Sequence, residues 1–338
     1  MSFSITKVSN MLVKWYLICS FIFYFIISSN LVKSCHTQCP KYSYEPYLER
    51  IKYLVRLPDH KKLNQLALVG THSSLSYSIN DEQSLVKTQN LNIQQQLKYG
   101  VRVLDIGIHP QSNLFEIYTE NVDTSFKLSE LLLQVDNFLD DNPGEFIIMF
   151  IRQVFISTLE VNKSNCDILN YYIETSVGGK RMVKNWGLND TIGQHRGKIL
   201  LASLDYSFDD CTLILNRDCQ IQNDNAIHKK MKNSFTVEKK WTEIFQNIQR
   251  SYNKSYKCYI NDLSYWDGVN TRKDIATDGG YYHNNGCPVP LNFIMADNFQ
   301  KPHRALIIVI ADFPPQKLID GINDSNFHDS SWRSGWNK

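Results

Sequence analysis

An imidazole and several carboxylates stand where apolar runs stop. Leu66-Ala67-Leu68-Val69 reads as a short buried strand, Gly70 breaks the run, and His72 follows at once. Val101 to Ile108 is a second β-branched, apolar run, and it carries Asp105 in its interior. A carboxylate inside such a run is costly unless paired, which calls for a partner near the strand mouth. Two later apolar runs, Phe293 to Ala296 and Ala305 to Ile310, end at Asp297 and Asp312. An imidazole oriented by a carboxylate can act as a general base. Reactive groups at successive strand ends converge on one rim of a barrel or an open α/β sheet.

The elements that must position these groups follow from periodicity. Tyr42 to Leu54 and Ile93 to Tyr99 read as short helices, the second stopped by Gly100. Residues 75–92 are polar and loop-like. Leu114 to Thr119 reads as a strand, and Leu128 to Leu139 as a helix that stops before Asn142-Pro143-Gly144. Phe146 to Ile151, Lys198 to Leu204 and Cys258 to Leu263 are further strands, with Trp241 to Tyr252 helical. Strands alternating with helices over this length predict an α/β architecture, for which a barrel is the natural closed solution.

Composition bounds the setting. The 338 residues are 43% hydrophobic and 12% aromatic, which is ample for a packed core. A net charge of +2 with no basic block gives nucleic acid no electrostatic footing. Lys7 and Lys14, the apolar run Trp15 to Ile27 and the small residues up to Ser34 have the three-part form of a secretory signal peptide over residues 1–34. Residues 35–338 then read as a single mature domain with an irregular, disulfide-bearing insertion around 205–235. Export predicts that most of Cys35, Cys39, Cys166, Cys211, Cys219, Cys258 and Cys287 pair, leaving one odd thiol. Sequons at Asn162, Asn189, Asn253 and Asn323 fit a secreted glycoprotein.

Several stretches, in order, resemble the X domain of phosphatidylinositol-specific phospholipase C in its short secreted, bacterial-like form. Leu68-Val69-Gly70-Thr71-His72-Ser73-Ser74 is similar to the family's first strand end, and Gly100-Val101-Arg102-Val103-Leu104-Asp105-Ile106 to its second strand. Phe138-Leu139-Asp140-Asp141-Asn142-Pro143-Gly144-Glu145-Phe146-Ile147-Ile148-Met149 and Arg196-Gly197-Lys198-Ile199-Leu200-Leu201 match later family segments. The resemblance implies a distorted (β/α)8 TIM-type barrel with its site at the C-terminal mouth, acting without metal or other cofactor. It implies His72 as general base and Asp105 as the acidic residue of the second strand. Asp297 resembles the late aspartate that orients the imidazole, with Asp312 its rival.

Three positions depart from the family. Ser73 replaces an aspartate, Gly107 an arginine, and Thr119 the second histidine, the proton donor to the leaving group. A general acid contributes about 10²–10⁴-fold and one charge donor about 10²–10³-fold, so these losses predict weak or no turnover. His109, Arg152 and Glu120 are the candidate substitutes. Two functions compete: a degenerate member that binds an inositol-lipid head-group or glycan, and a metal-independent phosphodiesterase that cleaves inositol phospholipids or glycosylated relatives. Peripheral membrane contact through Tyr265-Trp266 or Tyr281-Tyr282 is weighed against buried packing.

Overall fold

The structure, a computed structural model, describes residues 42, 46–80, 85–154, 161–208, 211–222, 237–252, 257–266, 271–279, 283–284, 287–288, 290–299 and 303–327. The segment read as a signal peptide, Cys35, Cys39, Asn253 and the Tyr281-Tyr282 pair lie outside the described residues. The chain from Tyr42 onward forms one compact unit.

In chain order the main elements are β1 (Ala67–Thr71), α1 (Ile93–Lys98), β2 (Val103–Gln111), β3 (Leu114–Thr119), β4 (Val122–Lys127), α2 (Leu128–Asp141), β5 (Ile147–Gln153), α3 (Asn165–Thr175), β6 (Met182–Val183) and β7 (Ile199–Ser203). Then follow β8 (Leu213–Ile214), β9 (Cys219–Gln222), α4 (Val237–Tyr252), β10 (Cys258–Asp262), α5 (Arg272–Asp278), β11 (His283–Asn284), β12 (Cys287–Pro288), α6 (Leu291–Asn298), β13 (Leu306–Ala311) and α7 (Gln316–Asp324). The main sheet runs β6-β7-β5-β2-β1-β13-β10-β9 with parallel neighbours. The antiparallel hairpin β3–β4 extends β2 as a ribbon, and β8 adds to β7. It is a curled parallel sheet with helices packed outside, the α/β barrel type.

Two apolar layers follow from the period of two along each strand. Leu68, Val103, Ile148 and Phe150, Leu200 and Ala202, Ile260, and Ile308 and Ile310 pack together inside the curl. Their alternates, among them Val69, Leu104, Ile106, Met149, Leu201, Ile307 and Val309, pack outward against helices. In α2 the buried residues Leu128, Leu131, Leu132, Val135 and Leu139 recur at helical spacing and supply much of that outer layer.

Two expected elements differ. Within the stretch Tyr42 to Leu54, residues 46–53 are not helical, and Leu54–Arg56 makes a short 3₁₀ turn. The backbone groups of this segment are claimed by distant partners instead: Arg50 N–H by Lys98 O, Leu48 N–H by Gln316 Oε1, and Leu54 and Val55 N–H by the Glu145 carboxylate. Phe293 to Ala296 is not a strand but part of α6, which Pro290 introduces and whose Phe293 N–H bonds Pro290 O. Disulfides join Cys166 to Cys211 and Cys219 to Cys258, the second linking register partners on β9 and β10. Of the stretch read as an insertion, 205–208 and 211–222 are described and include β8 and β9, and the rest lies outside the described residues.

At the N-terminal ends of the strands lies a buried ion pair. Arg102 Nε donates to Glu145 Oε2 at 2.9 Å, with both side chains 0% exposed. The same guanidinium donates to Leu97 O and Val101 O and lies over the rings of Tyr53 and Phe138. Arg102 and Glu145, one in each of two family-like stretches, are therefore held by structure. Breaking a buried pair on one side costs about 3–5 kcal/mol. Glu145→Gln is expected to lower the unfolding free energy by that order in urea titrations while leaving the far rim of the barrel intact.

Candidate active site

The inward parity of the strands carries past their ends into the mouth. His72 continues the Leu68 face of β1, and Asp312 the Ile308–Ile310 face of β13. Asp105 and Arg152 continue the Val103 and Ile148–Phe150 faces, and Asp262 the Ile260 face. The registers then set His72, Asp312 and Asp105 at one level. Thr71 pairs with Ala311, so the next residues, His72 and Asp312, fall side by side. Thr71 also pairs with Leu104, next to Asp105, while Asp262 pairs with Ile310. Gly70 is needed here because a Cβ would meet Ile310 Cδ1 at 2.5 Å and Val103 Cβ at 2.8 Å.

His72 Nδ1 hydrogen-bonds Asp312 Oδ1 at 2.8 Å, with the aspartate 2% exposed. Burial pushes the ring below its ordinary value, but the charge and hydrogen bond of Asp312, with Asp262 behind them, outweigh that and hold it above. Arg272 opposes them. The structure brings Asp312, and not Asp297, against the imidazole. Asp297 sits on α6, exposed, with Lys317 Nζ at 2.6 Å from its carboxylate. Its apolar run is a helix, so it never reaches a strand end.

Asp105 is the second anchor. Its Oδ2 accepts the Ser73 N–H at 2.9 Å, and its Oδ1 accepts Arg152 Nε at 3.0 Å. Ser73 turns this N–H inward with a left-handed backbone, φ 44°. The same guanidinium reaches the Ser73 hydroxyl at 3.1 Å. Burial pushes the Asp105 carboxyl up, yet the Arg152 charge, the His72 charge and these hydrogen bonds hold it below the ordinary range.

Of the departures, Gly107 is explained by packing. A Cβ there would strike the Tyr118 carbonyl and lie 2.5 Å from Val154 Cγ1. Gly107 pairs in register with Arg152 on β5, so a guanidinium stands one strand away from where the family places it. Thr119 is buried at the end of β3. Glu120 follows it with φ 55°, and its carboxylate is engaged by Arg272, which makes it an acceptor rather than a stand-in proton donor. His109 lies further along β2, opposite Glu116, with its ring edge-on to Tyr118 at 5.4 Å. Sequence reasoning missed Asp262 and Arg272. Asp262 was readable as the charged end of an apolar run; nothing local marks Arg272. Tyr265 is packed with Val237, Ile275 and Leu291.

A curled parallel sheet of the α/β barrel type thus gathers an imidazole–carboxylate pair and a guanidinium–carboxylate pair at its C-terminal mouth. The particular family follows from comparison. Residues 59–212 match the family described as PI-PLC X 1. It is 27% identical over 282 residues to the "1-phosphatidylinositol phosphodiesterase" of Listeria monocytogenes, covering 81% of this chain and 84% of that one. It is 26% identical over 157 residues to the human "PI-PLC X domain-containing protein 2", covering 38% of this chain and 50% of that protein. Among solved structures, the Listeria phosphatidylinositol-specific phospholipase C superposes with a TM-score of 0.64 at 24% identity, over 82% of this chain and 99% of that one. A Staphylococcus aureus enzyme of the same name gives 0.67 at 20%, over 82% and 98%.

Two outcomes follow. Gly107→Arg, which restores the family residue, is expected to destabilise the fold by about 1–3 kcal/mol through overpacking and not to raise activity, read by urea unfolding alongside assay. The ion pairs also set a pH window. Asp105 has a lowered folded value, so its contribution is present above the unfolded value and lost as pH falls through the folded one. His72 has a raised folded value, so its contribution is present below the unfolded value and lost as pH rises through the folded one. Unfolding midpoints against pH should show a flatter acid arm in Arg152→Leu and a flatter neutral-to-alkaline arm in Asp312→Asn.

Proposed function

We propose that this chain is an exported PI-PLC X protein that engages inositol phospholipid head-groups, or glycosylated relatives, with half of a catalytic apparatus. The observation that carries the proposal is the pairing of an intact base with a relocated guanidinium, beside a threonine where the proton donor belongs. His72, oriented by Asp312, takes the proton of the inositol 2-hydroxyl, and that oxygen attacks phosphorus to close a cyclic phosphate. Arg152 stabilises the charge gathering on the phosphoryl oxygens. The leaving oxygen departs without a proton from Thr119, so the alkoxide of a diacylglycerol leaves slowly and binding outlasts turnover.

Export is supported by the two disulfides, which belong to an oxidising compartment. Asn162 and Asn189 are exposed and open to glycosylation, whereas Asn323 is buried and donates to Gly100 O, so its sequon is structural. Among the described residues no helix is long and apolar enough to cross a membrane. Peripheral contact is better served by Leu85 and Tyr206, 47% and 61% exposed, than by the packed Tyr265. Tyr206 lies just past β7, and Leu85 O accepts a bond from Arg272 beside the mouth.

The leaving group tests this reading. An aryl ester of inositol phosphate, whose phenolate departs unprotonated, should turn over about 10²–10⁴-fold faster than phosphatidylinositol in vesicles, the range a missing general acid removes. His72→Ala should abolish both rates, and Thr119→His should raise only the lipid rate. Equal rates on the two esters would show that a proton donor is present, and an aryl rate unaffected in His72→Ala would remove the proposed base.

A further inference from the structure

We propose that Arg272 is a positioning residue for the His72–Asp312 pair, acting on the imidazole through the free oxygen of the aspartate. The inference rests on the assignment of His72 as proton acceptor.

Arg272 opens α5, capped by Thr271, whose hydroxyl accepts the Asp274 N–H. Its side chain is 1% exposed, so its charge has been taken out of water and needs partners. Three groups from three other parts of the mouth meet it. Glu120, at the tip of the β3–β4 ribbon, accepts from one terminal nitrogen, and Leu85 O accepts from Nε at 3.2 Å. The other terminal nitrogen points at Asp312, 3.9 Å from Oδ2. That oxygen accepts no hydrogen bond among the described residues, while Oδ1 holds the imidazole. The aspartate therefore has one oxygen for His72 and one facing a fixed cation.

The arrangement has a directional consequence. A carboxylate shared with a guanidinium holds an imidazolium less tightly, so the ring gives up its proton at lower pH. The charged groups facing His72 are Asp312 from β13, Asp262 from β10, Asp105 from β2 and Arg272 from α5, with Arg152 of β5 behind Asp105. Without Arg272 the balance is acidic. Glu120 tethers the guanidinium and partly cancels it, so the two residues act on His72 with opposite sign. A general base needs its neutral form, and Arg272 widens the pH range in which that form exists.

The test is a titration of His72 by NMR of ¹³C-labelled histidine rings, with the resonance assigned through His72→Gln. In Arg272→Gln the midpoint should rise by about half a unit or more, and in Glu120→Gln it should fall. Arg272→Lys should return it towards the wild-type value, because a cation is retained. If Arg272→Gln does not fold, the fall in Glu120→Gln and the near-native midpoint of Arg272→Lys carry the test. Midpoints that stay put, or that move the same way in both neutralised variants, overturn the proposal; a merely structural role gives no opposite signs. The readout needs no turnover, so it stands apart from whether phosphodiester cleavage is found.

Discussion

A carboxylate inside a barrel has to be answered by a cation, and the position of that answer shapes this mouth. Asp105 points inward because its strand parity leaves it no alternative, and 4% of it is exposed. A backbone N–H from Ser73 and the fork of Arg152 meet it. The cation cannot come from Gly107, where the β3 carbonyl lies against the position of a Cβ. Register makes the adjacent strand the next source, because Arg152 is the direct partner of Gly107. Ser73 completes the exchange. With a serine there, the guanidinium meets a neutral acceptor beside Asp105 and not a second carboxylate.

How much of this the sequence disclosed depends on where each residue stands. His72 and Asp105 were legible because each interrupts an apolar run, and buried charge in such a run is costly enough to imply a purpose. The choice between Asp297 and Asp312 was not legible. Both follow apolar stretches, and a short apolar run fits either a helix or a strand. Pro290 tips the first towards a helix, and the consequence is an exposed aspartate paired with lysine. The sheet was likewise visible in outline, whereas the segment before Leu54 was misjudged because its backbone partners are remote in sequence.

Arg272 marks the limit of reading along the chain. It lies between two stretches rich in polar residues, and its significance comes from what the fold sets beside it. Only the convergence of α5, the ribbon tip and β13 reveals it as part of the site.

The loss of the proton donor and the arrival of this buried cation are connected by one residue. The resemblance places a histidine and a glycine where Thr119 and Glu120 stand, and the left-handed backbone of Glu120 explains why glycine suits the second position. Placing a carboxylate there puts a negative charge at the rim, where it acts on Arg152 and engages Arg272. Unanswered, it would add to the carboxylate charges that hold the His72 ring above its ordinary value. Arg272 absorbs that charge and extends its remaining donor towards Asp312. On the proposed reading, this ion pair stands beside the position that lacks the acid and offsets the carboxylates around the base.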